Sequence, residues 1–261
     1  MEILILIAVG AVAGTLAGLL GIGGGIIIVP VLALVFDHQG INPDVLMHVA
    51  IGTSLATIAI TSISSIRTHH QHQAIDWSVF RRITPGILVG GLLGSVIAKY
   101  ISGADLRLIF GLFMLLVAAQ MIFGNASKPH RKLPGTAGML ISGTLIGSIA
   151  SLMGVGGGSM SVPFLTWCNM AIRQAVATSA AIGFPIAVAG VSGFIMTGWG
   201  VEQRPVWSLG FVNIPAFLSI IAASTFFAPY GARITHRISP TRLKLFFGYF
   251  LLILSIKILY D

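Results

Sequence analysis

The segment Gly14–Leu32, GTLAGLLGIGGGIIIVPVL, is the main indication of the fold because a similar segment occurs a second time in the chain. The second copy, Gly147–Leu165, reads GSIASLMGVGGGSMSVPFL, and ten of the nineteen aligned positions are identical without a gap. Such self-similarity at a fixed offset indicates an internal duplication. We therefore predict two homologous transmembrane halves, residues 1–125 and 126–261, that form one integral unit.

Other pairs of short segments follow the same order in the two halves. Gly-Thr-Ser at 52–54 matches Ala-Thr-Ser at 177–179, Trp77 matches Trp207, Pro85 matches Pro215, and LRLIFG at 106–111 matches LKLFFG at 243–248. Both halves are therefore expected to share one architecture.

The composition indicates a membrane protein. Apolar side chains make up 56% of the 261 residues, charged side chains only 8%, and 32 residues are glycine. Soluble domains carry about 25% charged residues, whereas glycine in apolar segments lets helices approach closely in lipid. A soluble enzyme and a disordered chain are excluded. The net charge of +8 does not indicate a nucleic-acid partner, because the basic residues lie mainly in short loops between apolar segments.

Ten apolar segments are predicted to be helices. Eight are long enough to span, since about 17 to 25 residues cross the hydrocarbon core. They cover residues 3–20, 45–66, 83–101, 106–123, 137–153, 175–198, 209–230 and 243–260. Two shorter segments, 22–36 and 155–167, begin at glycine runs and either span or re-enter. No strands are expected, because the segments lack alternation. The predicted fold is an all-α polytopic membrane protein with 8 to 10 transmembrane segments, four long helices and one short helix in each half.

The Lys and Arg residues between segments favour one topology. If each short segment crosses back or re-enters, eleven basic residues lie on one side of the membrane and four on the other. If each short segment instead continues the preceding helix, the split is eight against seven. The positive-inside rule selects the first topology, with the basic side cytoplasmic and both termini outside. In this topology the two repeats are inverted.

The repeated motifs resemble those of a known family. GLLGIGGGIIIVPVL and SLMGVGGGSMSVPFL, with AIGTSL at 50–55 and AVATSAAIGFP at 175–185, are similar to the paired motifs of the TauE/SafE sulfite exporter family, also called the toluene-sulfonate uptake permease family. The resemblance covers essentially the whole chain. It implies a secondary transporter of the bacterial plasma membrane that moves small sulfur-containing anions such as sulfite, sulfoacetate or other organosulfonates, usually outward. The implied partners are this small anion and the lipid bilayer, with no cofactor, and a homo-oligomer is left open.

The two glycine triplets are the first candidate substrate site. They are Gly23, Gly24, Gly25, Gly156, Gly157 and Gly158. Glycine adopts backbone angles that are closed to other residues, so each triplet can break a helix inside the membrane. The break exposes N–H groups at the start of the next helix, where the helix dipole also favours an anion. The alternative is that these glycines serve only close helix packing, as expected for Gly14.

The two Thr-Ser pairs, Thr53-Ser54 and Thr178-Ser179, are the second candidate substrate site. Their hydroxyl groups can donate hydrogen bonds to sulfonate or sulfite oxygens. The alternative is that each hydroxyl bonds to its own helix or to a neighbouring helix, as is common in membranes.

His48 and Arg173 each precede a Thr-Ser pair by five residues. An ionisable residue at membrane depth suggests a role in charge movement or gating. Both also lie near predicted segment starts, where a long or amphipathic side chain can snorkel to the headgroups. Asp44 is expected to cap the helix that begins near Val45.

Catalysis and metal binding are not expected. An intramembrane serine hydrolase using Ser54 or Ser179 with His48 is the alternative function. It lacks a suitable carboxylate, and the other half has Arg173 where this half has His48. The His-His-Gln-His run at 69–72 lacks the spacing of a metal site, so no metal ligands are predicted.

The energy source is expected to be a gradient. No ATP-binding loop of the GxxxxGK[ST] type occurs in the sequence. The membrane potential favours outward movement of an anion by about 2.3 kcal/mol per charge per 100 mV. Export can therefore run without a coupling ion.

Overall fold

The computed structural model describes residues 6–8, 10–12, 14–15, 24–124, 132–235 and 240–260, without the side chains of 228–235 and 240–244. The described residues before 16 are helical. Nine helices follow: α1 Gly25–His38, α2 Pro43–Gln71, α3 Trp77–Lys99, α4 Gly103–Phe123, α5 Thr136–Leu152, α6 Gly158–Trp167, α7 Ile172–Thr197, α8 Ile214–Thr235 and α9 Pro240–Tyr260. A short antiparallel pair, β1 Ser208–Leu209 and β2 Val212–Asn213, connects α7 to α8.

The all-α prediction is confirmed, with one local correction. Each predicted segment from residue 25 onward coincides with a helix. The expectation of no strands is wrong for the β1–β2 turn, which forms around Gly210 at φ 55°. A short apolar run does not distinguish a strand from the start of a helix, and this turn occupies the first residues of the predicted apolar segment 209–230. It also delays the start of α8 to Ile214, so the chain after Trp207 differs from the helix that begins at Trp77.

Four of the described helices, α2, α3, α4 and α7, are long and apolar enough to cross a membrane. Helices α1 and α5, with 214–227 of α8 and 245–260 of α9, are shorter apolar helices. Large apolar side chains also cover the outer face, including Val89 of α3 at 54% exposed and Leu116 of α4 at 70% exposed. An exposed apolar surface of this kind fits contact with lipid.

Local capping explains where the long helices begin. Asn42 is the N-cap of α2, and its side chain accepts a hydrogen bond from the Asp44 backbone N–H at 2.9 Å. The expectation that Asp44 caps this helix is therefore wrong. Asn42 precedes Pro43, and a residue before proline is restricted to extended backbone, which is the conformation that an N-cap needs.

Helices α3 and α5 interlock through glycines. A Cβ on Gly90 would lie 2.8 Å from the backbone carbon of Thr144, and a Cβ on Gly147 would lie 2.6 Å from the carbonyl oxygen of Ile87. The contacts advance in step along the two helices, from Gly86 on Leu140 through Gly90 on Thr144 to Gly94 on Ser148. Helices α3 and α5 therefore run parallel, with backbones as close as small residues permit.

The N-terminal helical residues contact α8 in a similar way. A Cβ on Gly10 would lie 2.9 Å from the Ile220 carbonyl oxygen, and a Cβ on Gly14 would lie 2.8 Å from the Ser224 carbonyl oxygen. Gly14 therefore serves close packing, as expected. In the repeat, Gly10 and Gly14 correspond to Gly143 and Gly147 of α5.

Helices α4 and α9 pack against each other through equivalent residues. A Cβ on Gly111, near the middle of α4, would lie 2.6 Å from Leu259 Cδ2, near the end of α9. A Cβ on Gly248, near the middle of α9, would lie 2.6 Å from Ile122 Cγ1, near the end of α4. The two helices are therefore antiparallel, and the matched motifs LRLIFG and LKLFFG make equivalent contacts.

Helices α2 and α7 cross in the interior. A Cβ on Gly52 would lie 3.3 Å from Phe194 Cβ, and a Cβ on Gly190 would lie 2.9 Å from Leu55 Cδ1. The order of these contacts makes α2 and α7 antiparallel. The connection after α2 therefore lies at the opposite end of this pair from the connection after α7.

Candidate functional site

The candidate site lies around α2 and α7, which carry the two Thr-Ser pairs. Thr53, Ser54, Thr178 and Ser179 are all fully buried. The chain between α5 and α6, residues 153–157, is non-helical and contacts both helices.

The break before α6 is made by two glycines with different physical roles. Gly154 has φ 66°, and a Cβ there would lie 2.8 Å from Val29 Cγ2 and 3.1 Å from Ile51 Cα. Gly157 has an ordinary φ of −57°, but its Cβ would lie 2.8 Å from the Ser179 carbonyl oxygen. The left-handed residue of this break is therefore Gly154, outside the triplet. The glycine at 157 provides a close approach to α7.

The break before α1 meets the break before α6. Gly24 has φ 69° and precedes the first residue of α1, Gly25. A Cβ on Gly25 would lie 2.7 Å from the Gly154 carbonyl oxygen and 3.1 Å from Val155 Cα. Gly23 lies outside the described residues. The start of α1 therefore contacts the chain that leads into α6.

The start of α6 carries several backbone N–H donors. Gly157 is the N-cap, and no side chain of the described residues caps the helix. The N–H groups of Gly156, Gly157, Gly158 and Ser159 have no acceptor among the described residues. All three glycines are buried. Four adjacent donors at the positive end of a helix form an arrangement that suits an oxyanion.

Two threonine hydroxyls accept hydrogen bonds from the other half of the chain. Thr53 Oγ1 accepts from the Asn213 backbone N–H at 2.9 Å, and Thr178 Oγ1 accepts from the Asp76 backbone N–H at 3.0 Å. Asn213 and Asp76 occupy similar places, because the side chain of each accepts a backbone N–H in the first turn of the helix that follows. A threonine hydroxyl that accepts an N–H keeps its own proton for donation.

The two serines of the pairs differ. Ser54 Oγ donates to the Gly154 carbonyl oxygen at 2.9 Å, so its proton is already used. Ser179 Oγ is buried and has no hydrogen-bond partner among the described residues. The repeat equivalent of Gly154 is Gly21, which lies outside those residues. Ser179 is therefore the serine of the two whose hydroxyl proton has no acceptor among the described residues and can be donated to a ligand.

Ser159 and Ser161, in the first turn of α6, were not identified by the sequence analysis. Ser159 Oγ and Ser161 Oγ are buried and have no partner among the described residues. The first copy of the repeat has Ile26 and Ile28 at these positions. This replacement of isoleucine by serine is the signal that could have revealed them. Within the described part of the chain, hydroxyl groups without a hydrogen-bond partner therefore lie in the first turn of α6.

His48 and Arg173 occupy different environments. His48 is 5% exposed, its Nε2 is 2.9 Å from the Ala98 carbonyl oxygen, and its ring centroid is 5.1 Å from that of Phe211. Its Nδ1 is buried without a partner. Snorkelling to the headgroups is therefore wrong for His48. Arg173 is exposed in the first turn of α7, where snorkelling remains the simpler account.

The hydrolase alternative has no geometric support. His48 Nε2 contacts the Ala98 carbonyl oxygen, whereas Ser54 Oγ donates to the Gly154 carbonyl oxygen. The two side chains therefore do not form the serine–histidine hydrogen bond that nucleophile activation needs. Within the described part of the chain, no group of three His, Cys, Asp or Glu side chains could hold a metal ion.

A comparison with protein families identifies the chain. The family model described as "Sulfite exporter TauE/SafE" matches residues 6–258. The chain belongs to the TauE/SafE sulfite exporter family. The family match therefore spans nearly the whole TauE/SafE chain, including both copies of the glycine repeat and both Thr-Ser pairs.

Curated relatives of this TauE/SafE protein carry transporter names. A "probable membrane transporter protein" of Haemophilus influenzae is 36% identical over 256 residues, covering 98% of this chain and 97% of its own length. One of Methanocaldococcus jannaschii is 30% identical, with 92% and 89% covered, and YunE of Bacillus subtilis is 25% identical, with 100% and 98% covered. No solved structure matches. This TauE/SafE protein is therefore a multi-pass membrane transporter.

Proposed function

We propose that the protein is a secondary transporter that exports small sulfur-containing anions, such as sulfite, sulfoacetate or other organosulfonates, by alternating access. The observation that carries this proposal is the set of four backbone donors at Gly156–Ser159 that have no acceptor among the described residues. These donors can bind a tetrahedral or pyramidal oxyanion through its oxygens. The hydroxyls of Ser159, Ser161 and Ser179, which have no partner in the described part of the chain, add further donors.

A site of neutral donors suits a transporter. A buried lysine or arginine would hold an anion strongly and would itself be costly to bury in the membrane. Backbone N–H groups and hydroxyls neutralise an anion partly, at a smaller desolvation cost. Binding to such donors is compatible with release on the other side of the membrane.

The antiparallel arrangement of α4 and α9 supports inverted repeats. These helices carry the matched motifs LRLIFG and LKLFFG. Equivalent helices of a parallel repeat would run in the same direction, whereas Gly111 contacts Leu259 and Gly248 contacts Ile122. The opposite directions of α4 and α9 also favour the topology in which each short glycine-started helix crosses back or re-enters, with both termini outside.

Two equivalent hydrogen bonds, one at each end of the α2–α7 pair, are suited to act as latches that hold the two halves of the chain together. Thr53 accepts from Asn213 next to the β1–β2 turn, and Thr178 accepts from Asp76 after α2. The antiparallel crossing of α2 and α7 separates these two connections. Opening one bond while the other holds would expose the site to one side only, as alternating access requires.

The outward direction rests on the membrane potential. With a negative cytoplasm, an uncoupled anion gains about 2.3 kcal/mol per charge per 100 mV when it leaves. Efflux of sulfite or sulfoacetate from proteoliposomes should therefore accelerate when an inside-negative potential is imposed. Efflux that does not respond to the potential would contradict uncoupled export.

Replacement of Gly157 tests the site itself. We expect Gly157→Ala to abolish the stabilisation of the purified protein by its anion, because the new Cβ would lie 2.8 Å from the Ser179 carbonyl oxygen and would displace the donors. The measurement is a thermal-shift panel of sulfite, thiosulfate, sulfoacetate, taurine and sulfate. Gly135→Ala is the control, since a Cβ there meets nothing within 4 Å. Ligand-dependent thermal shifts in Gly157→Ala as large as those of the unsubstituted protein would indicate that this glycine serves only close packing.

A further inference from the structure

A cavity lies away from the glycine breaks, between the starts of α2 and α4 and the end of α9. Its volume is about 280 Å³. It is lined by residues 43, 44, 46 and 47 of α2, residues 103, 104, 107 and 108 of α4, and residues 258 and 259 of α9. None of the glycines or hydroxyl residues of the substrate site lines it. Any ligand of this cavity would therefore be separate from the proposed anion at α6.

An arginine, Arg107, lines this cavity. Arg107 Nε and Nη2 are both buried, and neither has a hydrogen-bond partner among the described residues. Burying guanidinium donors unpaired is costly, and the cost falls when an anion accepts from them. The fixed fork of a guanidinium matches the oxygens of a phosphate or another tetrahedral oxyanion. The cavity therefore has the chemistry of an anionic-group site.

The walls of the cavity favour a lipid as the source of that group. Leu108, which lines the cavity, is 53% exposed on the outer apolar surface. Two further large apolar residues of the lining, Ile258 and Leu259, belong to α9. At about 30 Å³ per liquid water, the cavity holds roughly nine waters. That volume accommodates a headgroup, but acyl chains would have to lie outside it, along the lipid-facing surface beside Leu108.

Asp44 narrows the choice of headgroup. Asp44 lines the same cavity as Arg107, and Asp44 is exposed. A purely anionic headgroup would meet repulsion from this carboxylate, whereas a zwitterionic headgroup can place its cation there. We propose that the cavity binds the headgroup of a phosphatidylethanolamine-type phospholipid, with the phosphate at Arg107 and the ammonium at Asp44.

Lipid titration of delipidated protein in detergent tests this proposal. Native mass spectrometry would measure binding of phosphatidylethanolamine and phosphatidylglycerol, and thermal shift would measure the effect of inorganic phosphate. We expect the wild-type protein to prefer phosphatidylethanolamine and to show no shift with inorganic phosphate. Loss of charge-assisted hydrogen bonds in Arg107→Gln should weaken phosphatidylethanolamine binding by about tenfold or more. Asp44→Asn should remove the preference over phosphatidylglycerol.

The matched control is Lys257→Gln on α9. Lys257 is exposed, and its neighbour Ile258 lines the cavity, but Lys257 itself does not. Its loss should leave phosphatidylethanolamine binding unchanged. Equal losses in Lys257→Gln and Arg107→Gln would overturn the proposal in favour of general surface attraction. A shift with inorganic phosphate but no lipid binding would overturn the lipid source. If Arg107→Gln fails to fold, Asp44→Asn alone decides, because an unchanged lipid preference in that variant contradicts the proposed headgroup.

Discussion

At the scale of single residues, Ser54 and Ser179 occupy equivalent positions in the repeat but have different hydrogen bonds. Ser54 Oγ satisfies the Gly154 carbonyl oxygen, whereas Ser179 Oγ has no partner among the described residues. We expect Ser54→Ala to destabilise the protein by about 1 to 3 kcal/mol, because it leaves a buried carbonyl oxygen unsatisfied. Ser179→Ala should leave unfolding unchanged and reduce the ligand-dependent thermal shift.

The two serine variants control each other. Both remove one buried hydroxyl from a central helix, so the general cost of the substitution is the same. Thermal unfolding without ligand and with a saturating anion would measure both effects. If Ser179→Ala destabilises the unliganded protein as much as Ser54→Ala does, the Ser179 hydroxyl has a structural acceptor and does not serve the substrate.

Some site residues could be predicted from the sequence, and others could not. The triplets and Thr-Ser pairs follow from repetition, which needs no tertiary knowledge. The left-handed residue of the second break is Gly154, however, because the contacts of Val29 and Ile51 determine where the chain turns. The burial of His48 depends likewise on Phe211, which lies far away in the sequence.

At the scale of helices, the interlock of α3 and α5 gives the next prediction. A Cβ on Gly90 would lie 2.8 Å from the backbone carbon of Thr144, and backbone cannot move aside as a side chain can. We expect Gly90→Ala to separate the helices and to destabilise the protein by about 1 to 3 kcal/mol. Denaturant unfolding in detergent would measure this. Val89→Ala, on the exposed side of the same turn, should change stability much less.

A result in which Gly90→Ala and Val89→Ala have equal effects would contradict the interlock. The packing of α3 against α5 also shows what the sequence does not predict about these helices. Apolar length predicts that α3 and α5 exist, and glycine content predicts close packing somewhere. The partner helix and its parallel direction depend on contacts between residues about fifty positions apart, which hydropathy does not encode.

At the scale of the whole molecule, the two latch bonds join the halves at opposite ends. Sequence repetition predicts two similar halves. The hydrogen bonds from Asn213 to Thr53 and from Asp76 to Thr178, however, depend on the antiparallel crossing of α2 and α7. A single hydrogen bond contributes about 0.5 to 1.5 kcal/mol, which changes a two-state population about two- to tenfold. Removing one bond should therefore bias the transporter toward opening at that end.

Thr53→Val and Thr178→Val test this bias when a cysteine reporter replaces Ser161 in a Cys168→Ala background. Ser161 is fully buried, so an impermeant maleimide should label the reporter only after the site opens. We expect Thr53→Val to increase labelling from outside, next to the β1–β2 turn, and Thr178→Val to increase it from the cytoplasmic side. Thr57→Val, whose hydroxyl donates within α2 to the Thr53 carbonyl oxygen, should change neither. Increased labelling from the same side in both variants would contradict opposed latches, and exchanged sides would reverse the assigned orientation.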